Sequence, residues 1–257
     1  MTRPLKRAIA LLIATLTTLT LTTRTVHSDS PDTPVRVLVY GDSNTWGWVP
    51  TESGFPTTRF SKAERYPGVM QAELGSGFEI LENGLNNRTT NLDYPEPIGI
   101  VAGTAFNGAR TLPGLLAAHA PLDLVVIMLG SNDLRDPFWR TAAESAAAIA
   151  QLIDIVKSSG GSVANTYAAP QLLIVAPPRI GSMPHPYIAE RFSGAEQVSK
   201  EFADAYRAVA EAAEVSFLDA TEAIGVTNGW DGIHISAEQH QLLGNAIAAK
   251  IHTLIDQ

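Results

Sequence analysis

Leu122-Asp123-Leu124-Val125-Val126-Ile127-Met128-Leu129 is short, almost wholly apolar and rich in β-branched residues, with Pro121 before it and Gly130 after it. A run of this length and composition between breakers reads as a strand. Its lack of polar alternation predicts cover on both faces, the condition of a strand inside a parallel sheet. Working outward, Val35–Tyr40 ends at Gly41 and reads as an earlier buried strand, and Phe78–Leu81 as a second. Beyond it, Gln171–Ala176 and Val215–Leu218 read as a fourth and a fifth.

Helical periodicity fills the gaps between these strands. Tyr66–Leu74 carries Pro67 in its first turn, where proline is tolerated. Gly108–His119 and Ala142–Ser158 follow, the latter stopped by Gly160-Gly161. Glu196–Ala213 has an apolar stripe of Val198, Phe202, Ala205 and Val209. Ser236–Ile255 opens with Ser236 and Gln239 at capping-box spacing and has Leu243, Ile247, Ile251 and Leu254 on its inner face. The alternation predicts an α/β chain, a three-layer α/β/α sandwich around a five-stranded parallel sheet in flavodoxin-like strand order. Segments 91–107 and 177–195 are long for connections, and loops of that length are usually functional.

The first 28 residues read differently. Arg3, Lys6 and Arg7 precede an uncharged stretch, Ala8–Thr23, and Val26-His27-Ser28 suits a peptidase site. This is the pattern of a secretory signal peptide, with 29–257 as the single mature domain and a secreted or periplasmic location. A membrane anchor is the alternative, but sixteen residues diluted by threonine fall short of the ~20 a span needs. No stable membrane insertion is expected once the leader is cleaved.

The net charge of −8 argues against nucleic acid as a partner, because phosphate binding rests on lysine and arginine. The absence of cysteine removes disulfides, thiolate metal sites and a cysteine nucleophile.

In an open α/β sheet, ligands bind beyond the carboxyl ends of the strands, where the strand order reverses. The first strand leads into Gly41-Asp42-Ser43-Asn44-Thr45-Trp46-Gly47-Trp48, and the third into Gly130-Ser131-Asn132-Asp133. Ser43 sits on the tight turn, but a serine hydroxyl attacks only when a base takes its proton. Asp231-Gly232-Ile233-His234 can supply that base, the carboxylate fixing the imidazole tautomer. The Ser43 N–H, the Asn132 amide and an N–H from the loop Gly84–Thr90 are candidate donors to an oxyanion. Each such donor is worth ~3–4 kcal/mol in the transition state.

Gly41-Asp42-Ser43, Gly84–Thr90, Gly130-Ser131-Asn132-Asp133 and Asp231–His234 together resemble the conserved blocks of the SGNH (GDSL) hydrolase family. The longer strings Gly41–Trp48, 84–91, Met183-Pro184-His185-Pro186 and Asp231–His234 are similar to the branch of bacterial arylesterases and the mycobacterial acyltransferase. The resemblance implies a serine esterase acting on short acyl esters, with water or an alcohol as acceptor and no metal or organic cofactor. It also implies that Ser43 is the nucleophile, His234 the base and Asp231 its orienter, with Ser43, Asn87 and Asn132 forming the oxyanion hole. Trp48 and Ile233 match pocket-lining positions, and members of the branch include multi-subunit assemblies, so a homo-oligomer is compatible with it.

Two positions depart from the family pattern. Asn44 stands where leucine is usual and puts a polar group at the expected acyl wall. Asn87 stands where glycine or alanine is usual, although asparagine tolerates a left-handed backbone.

Three other readings compete with this one. A carbohydrate acetylesterase shares the same chemistry, and its pocket would be set by 91–107 and 177–195. A metal-dependent phosphoesterase could use Asp42, Asn132, Asp133, Asp231 and His234, but the chain lacks dense His/Asp clustering. A nucleotide-binding module would need a glycine-rich phosphate loop after the first strand, and none is there. Several single residues have plainer readings: Asp42 and Asp133 as caps or loop anchors, Arg88 as a loop holder, and Trp46 as core. Arg179 is placed either to meet a substrate carboxylate or to pair with a surface acid. Phe138 and Trp139 are placed at the site mouth or at an oligomer contact, and His185 in loop packing.

Overall fold

The computed structural model describes residues 33–54, 56–161 and 163–255. The expected leader, 1–28, lies outside the described residues.

Five strands form one parallel sheet: β1 (Val35–Gly41), β2 (Phe78–Gly84), β3 (Leu124–Met128), β4 (Gln171–Ala176) and β5 (Ser216–Asp219). Their order is β2-β1-β3-β4-β5, the flavodoxin-like order expected from the alternation, with Gly41 level with Gly84 on one side and Met128 on the other. The period-2 geometry of a strand explains the two cores. Leu38, Tyr40, Val125, Ile127, Leu172 and Ile174 face one way, towards α3 (Gly108–His119), α4 (Ala142–Lys157) and α7 (Phe202–Ala212). Val37, Val39, Leu124, Val126, Leu173 and Val175 face the other way, towards α2 (Tyr66–Leu74) and α9 (Ala237–Ile255). All five residues of β3 are buried, as a strand covered on both faces requires.

Caps set several helix starts. Thr141 and Glu144 exchange hydrogen bonds in a full capping box before α4. Ser236 and Gln239 do the same before α9, each backbone N–H donating to the other's side chain at 3.3 Å.

The expected helix 196–213 is broken. It runs as α6 (Ala195–Val198), a 3₁₀ turn at Ser199–Glu201, and then α7. The cause is Ser199, whose buried hydroxyl donates to the Glu196 carbonyl and accepts the Ile180 N–H at 3.0 Å. A side-chain hydroxyl competing for backbone partners tightens the turn and ties it to the segment after β4. That segment, expected as loop, contains α5 (Pro186–Arg191), with Pro186 at its first position. Two further short helices, α1 (Ser43–Trp46) and α8 (Ala220–Ile224), follow β1 and β5.

Candidate active site

The site is built at the carboxyl ends of β1, β2 and β3 together with the loop before α9. Gly41 closes β1 where a side chain has no room: a Cβ there would lie 1.8 Å from Thr45 Oγ1 and 2.9 Å from the Met128 carbonyl. The chain therefore turns at once, and Asp42 caps α1 by accepting the Asn44 N–H at 2.9 Å. Ser43 is thus the first residue of a helical turn set against the sheet.

The loop Asp231–His234 folds around its own carboxylate. Asp231 Oδ1 accepts the N–H groups of Ile233 and His234, both at 2.9 Å. Its Oδ2 lies 2.6 Å from His234 Nδ1, and His234 Nε2 lies 2.9 Å from Ser43 Oγ. With Nδ1–H donated to Asp231, Nε2 is left to accept the Ser43 hydroxyl proton. Burial alone would push the Asp231 carboxyl up. The hydrogen bonds from the His234 ring and from the two N–H groups outweigh burial and hold it below the usual carboxylate range. Trp48 stacks on the His234 ring, centroids 4.9 Å apart, and fixes the face of the imidazole.

The three expected oxyanion donors border the same cavity. Asn132 Nδ2 spends one hydrogen on the Arg88 carbonyl at 3.2 Å, which orients the amide and leaves its second hydrogen for a ligand. Asn87 adopts a left-handed backbone, φ 65°, the conformation that glycine would otherwise supply. Its side chain is drawn aside, with Oδ1 accepting Arg135 Nη1 at 2.6 Å. The N–H groups of Ser43 and Asn87 have no acceptor among the described residues.

The supporting polar residues are all spent on loops. Arg88 donates to the Gly41 and Asn83 carbonyls and lies over the Tyr40 ring, joining the ends of β1 and β2. Asp133 is fully buried, accepts Thr90 N–H at 2.9 Å and lies 3.5 Å from Arg140. Among the described residues, no three His, Cys, Asp or Glu side chains are gathered as a metal-binding group.

A cavity of about 140 Å³ opens over Ser43. Trp48 and Ile233 line it, together with Asn86, Ile188 and Phe192. Asn44 does not, which corrects its expected place on the substrate wall. It is 2 % exposed, its Oδ1 accepts Ile235 N–H at 3.0 Å, and its Nδ2 points at the Ile233 carbonyl at 3.5 Å. A polar side chain at this position staples the residue after the serine to the loop carrying the histidine, so it faces away from the cavity. Trp46 is not core either; it is half-buried beneath the Arg59 guanidinium, 5.2 Å from the ring. Arg179 is exposed and does not line the cavity. Phe138 packs edge-on against Tyr94, and Trp139 is exposed.

Sequence reasoning missed Arg135, Tyr187 and Arg191, which also line the cavity. Arg135 stands three residues after Asn132, just beyond the turn already singled out. Tyr187 and Arg191 lie on α5, inside the long segment flagged as functional and directly after Met183-Pro184-His185-Pro186.

The GDSL-like lipase/acylhydrolase family matches residues 39–242. No curated protein sequence matches the chain. Among solved structures, the native aryl esterase of M. smegmatis is 44% identical with a TM-score of 0.82, over 86% of this chain and 99% of that one. Est24, a carbohydrate acetylesterase from Sinorhizobium meliloti, gives the same four values. A second carbohydrate acetylesterase family member from Sinorhizobium meliloti is 33% identical with a TM-score of 0.78, over 87% and 100%.

Proposed function

The chain belongs to the GDSL-like lipase/acylhydrolase family, and on that premise we propose that it is a serine esterase that cleaves short acyl esters through an acyl-enzyme on Ser43. The observation that carries this reading is the hydrogen-bonded line from Ser43 Oγ through His234 to Asp231 at the floor of the cavity. Ser43 Oγ attacks the ester carbonyl as its proton passes to His234 Nε2. Asp231 stabilises the imidazolium that forms. The carbonyl oxygen, now negative, takes the Ser43 and Asn87 N–H groups and the free Asn132 amide hydrogen. His234 returns the proton to the departing alkoxide, and water then repeats the sequence in reverse on the acyl-serine.

The small cavity favours a short acyl group, and acetyl is the group for which the carbohydrate acetylesterase relatives are named. The apolar part of the wall, Trp48, Ile188, Phe192 and Ile233, offers a surface for the carbon chain of an alcohol and supports transfer to alcohols as a side reaction. The charged and apolar segments of residues 1–28 support export. A series of 4-nitrophenyl acetate, butyrate and octanoate tests the acyl reading. We expect kcat/KM to fall at least ~10-fold from acetate to octanoate, as each misplaced methylene costs on the order of 1 kcal/mol. Rising activity with chain length would contradict the short-acyl reading. A matched comparison of an aryl acetate with an acetylated xylo-oligosaccharide identifies the alcohol side.

A further inference from the structure

Two arginines line the cavity above Ser43, and neither is ion-paired with a carboxylate of a described residue. Arg135 is 8% exposed, donates Nη1 to the Asn87 side chain, and lies between the rings of Tyr94 and Phe192 at 5.8 and 5.5 Å. Arg191 donates Nη1 to the Tyr187 hydroxyl at 2.6 Å. The Nε atoms of both are buried without an acceptor among the described residues. No carboxylate of a described residue comes within 4.0 Å of either guanidinium. Asp231, the carboxylate on the same cavity wall, is bound to His234. Asp136 and Glu190 border a neighbouring hollow that shares Tyr187 and Arg191 with this cavity, and neither carboxylate lines the cavity itself.

Desolvation is costly for a cation that lacks a counter-ion. Burial pulls the Arg135 guanidinium below its ordinary value and the nearby charge of Arg191 pulls the same way, while Tyr94, Tyr187 and Asp136 offset this only in part. Two like charges held together over one small cavity, in a chain of net charge −8, form an arrangement that a bound anion would relieve. The planar guanidinium fork matches the two oxygens of a carboxylate.

We propose that Arg135 and Arg191 form a carboxylate-recognition subsite and that the preferred substrates are short esters carrying a second, negatively charged carboxylate. This rests on the esterase reading above. The carboxylate can reach the subsite from the acyl side or from the alcohol side, and two matched pairs separate the sources. Monoethyl against diethyl malonate places the charge on the acyl group; 4-acetoxybenzoate against its methyl ester places it on the alcohol. Each kcat/KM is divided by the rate of alkaline hydrolysis of the same ester, so that intrinsic reactivity cancels.

In at least one pair the anionic member is expected to be preferred at least ~10-fold at low salt, with the preference shrinking as ionic strength rises. That ratio is expected to collapse in Arg191→Gln and in Arg135→Gln and to persist in large part in Arg191→Lys. Arg191 stands on a partly exposed helix, so its variants keep the test open should Arg135→Gln fail to fold. Equal or neutral-favouring ratios in both pairs, or a preference that survives both glutamine substitutions, would overturn the subsite while leaving the esterase reading intact. Absence of hydrolysis of all four esters and of 4-nitrophenyl acetate would overturn both.

Discussion

Asp42 and Asn44 flank the serine and show how neighbouring side chains can serve it without touching substrate. Asp42 caps the turn and Asn44 fastens it to the histidine loop. Asp42 does so at a cost. Burial pushes its carboxyl up to about 6, and the Asn44 N–H only partly offsets the burial. Across about pH 4 to 6 the native state therefore holds a proton that the unfolded chain has released, and stability attributable to this group falls as pH rises. Asp42→Asn keeps an oxygen to accept the Asn44 N–H and removes the titration. The stability of the variant relative to wild type should then grow by ~2 kcal/mol from pH 4 to above pH 6. Urea unfolding midpoints at the two pH values check this, and a difference that stays flat or shrinks would refute it. The serine, histidine and aspartate were legible because their spacing has a chemical reason. The role of Asn44 was not, because the carbonyl and N–H it binds lie nearly two hundred residues away in the chain.

At the scale of elements, α2 and α9 pack closely because Gly244 offers no side chain. A Cβ there would meet Val69 Cβ at 2.6 Å and the Tyr66 carbonyl at 2.8 Å. The same contact is fixed by His240, whose Nδ1 accepts the Tyr66 N–H at 3.1 Å. Gly244→Ala therefore sets two effects against each other. Alanine favours the helix by ~1 kcal/mol, whereas overpacking a tight contact costs ~1–3 kcal/mol. Backbone stands in the way and cannot rotate aside, so packing is expected to win and the variant to be less stable, by ~1–2 kcal/mol in denaturant unfolding. An unchanged or raised midpoint would mean that the helices can separate freely. Every expected strand is present, since a buried parallel strand is marked by composition alone. The break at Ser199 was hidden, because periodicity registers which residues face the core and not whether a hydroxyl will reach a neighbouring segment.

Across the whole molecule, the sheet order brings residues 43, 87, 132 and 234 to one edge of the layer. Strand alternation and the switch-point rule were enough to anticipate that meeting place. The cavity's far wall was not legible, because α5 belongs to a segment without periodic signal, and its arginines gain meaning only from what they face. The central claim is that one hydroxyl, activated by one imidazole, carries the reaction. It is tested most directly by the steady-state hydrolysis of an aryl acetate by wild type and Ser43→Ala, with and without a chelator. The account predicts chelator-insensitive turnover in the wild type and a loss on the order of 10⁶ in the variant, as removal of a triad nucleophile gives. Comparable activity in Ser43→Ala would contradict it.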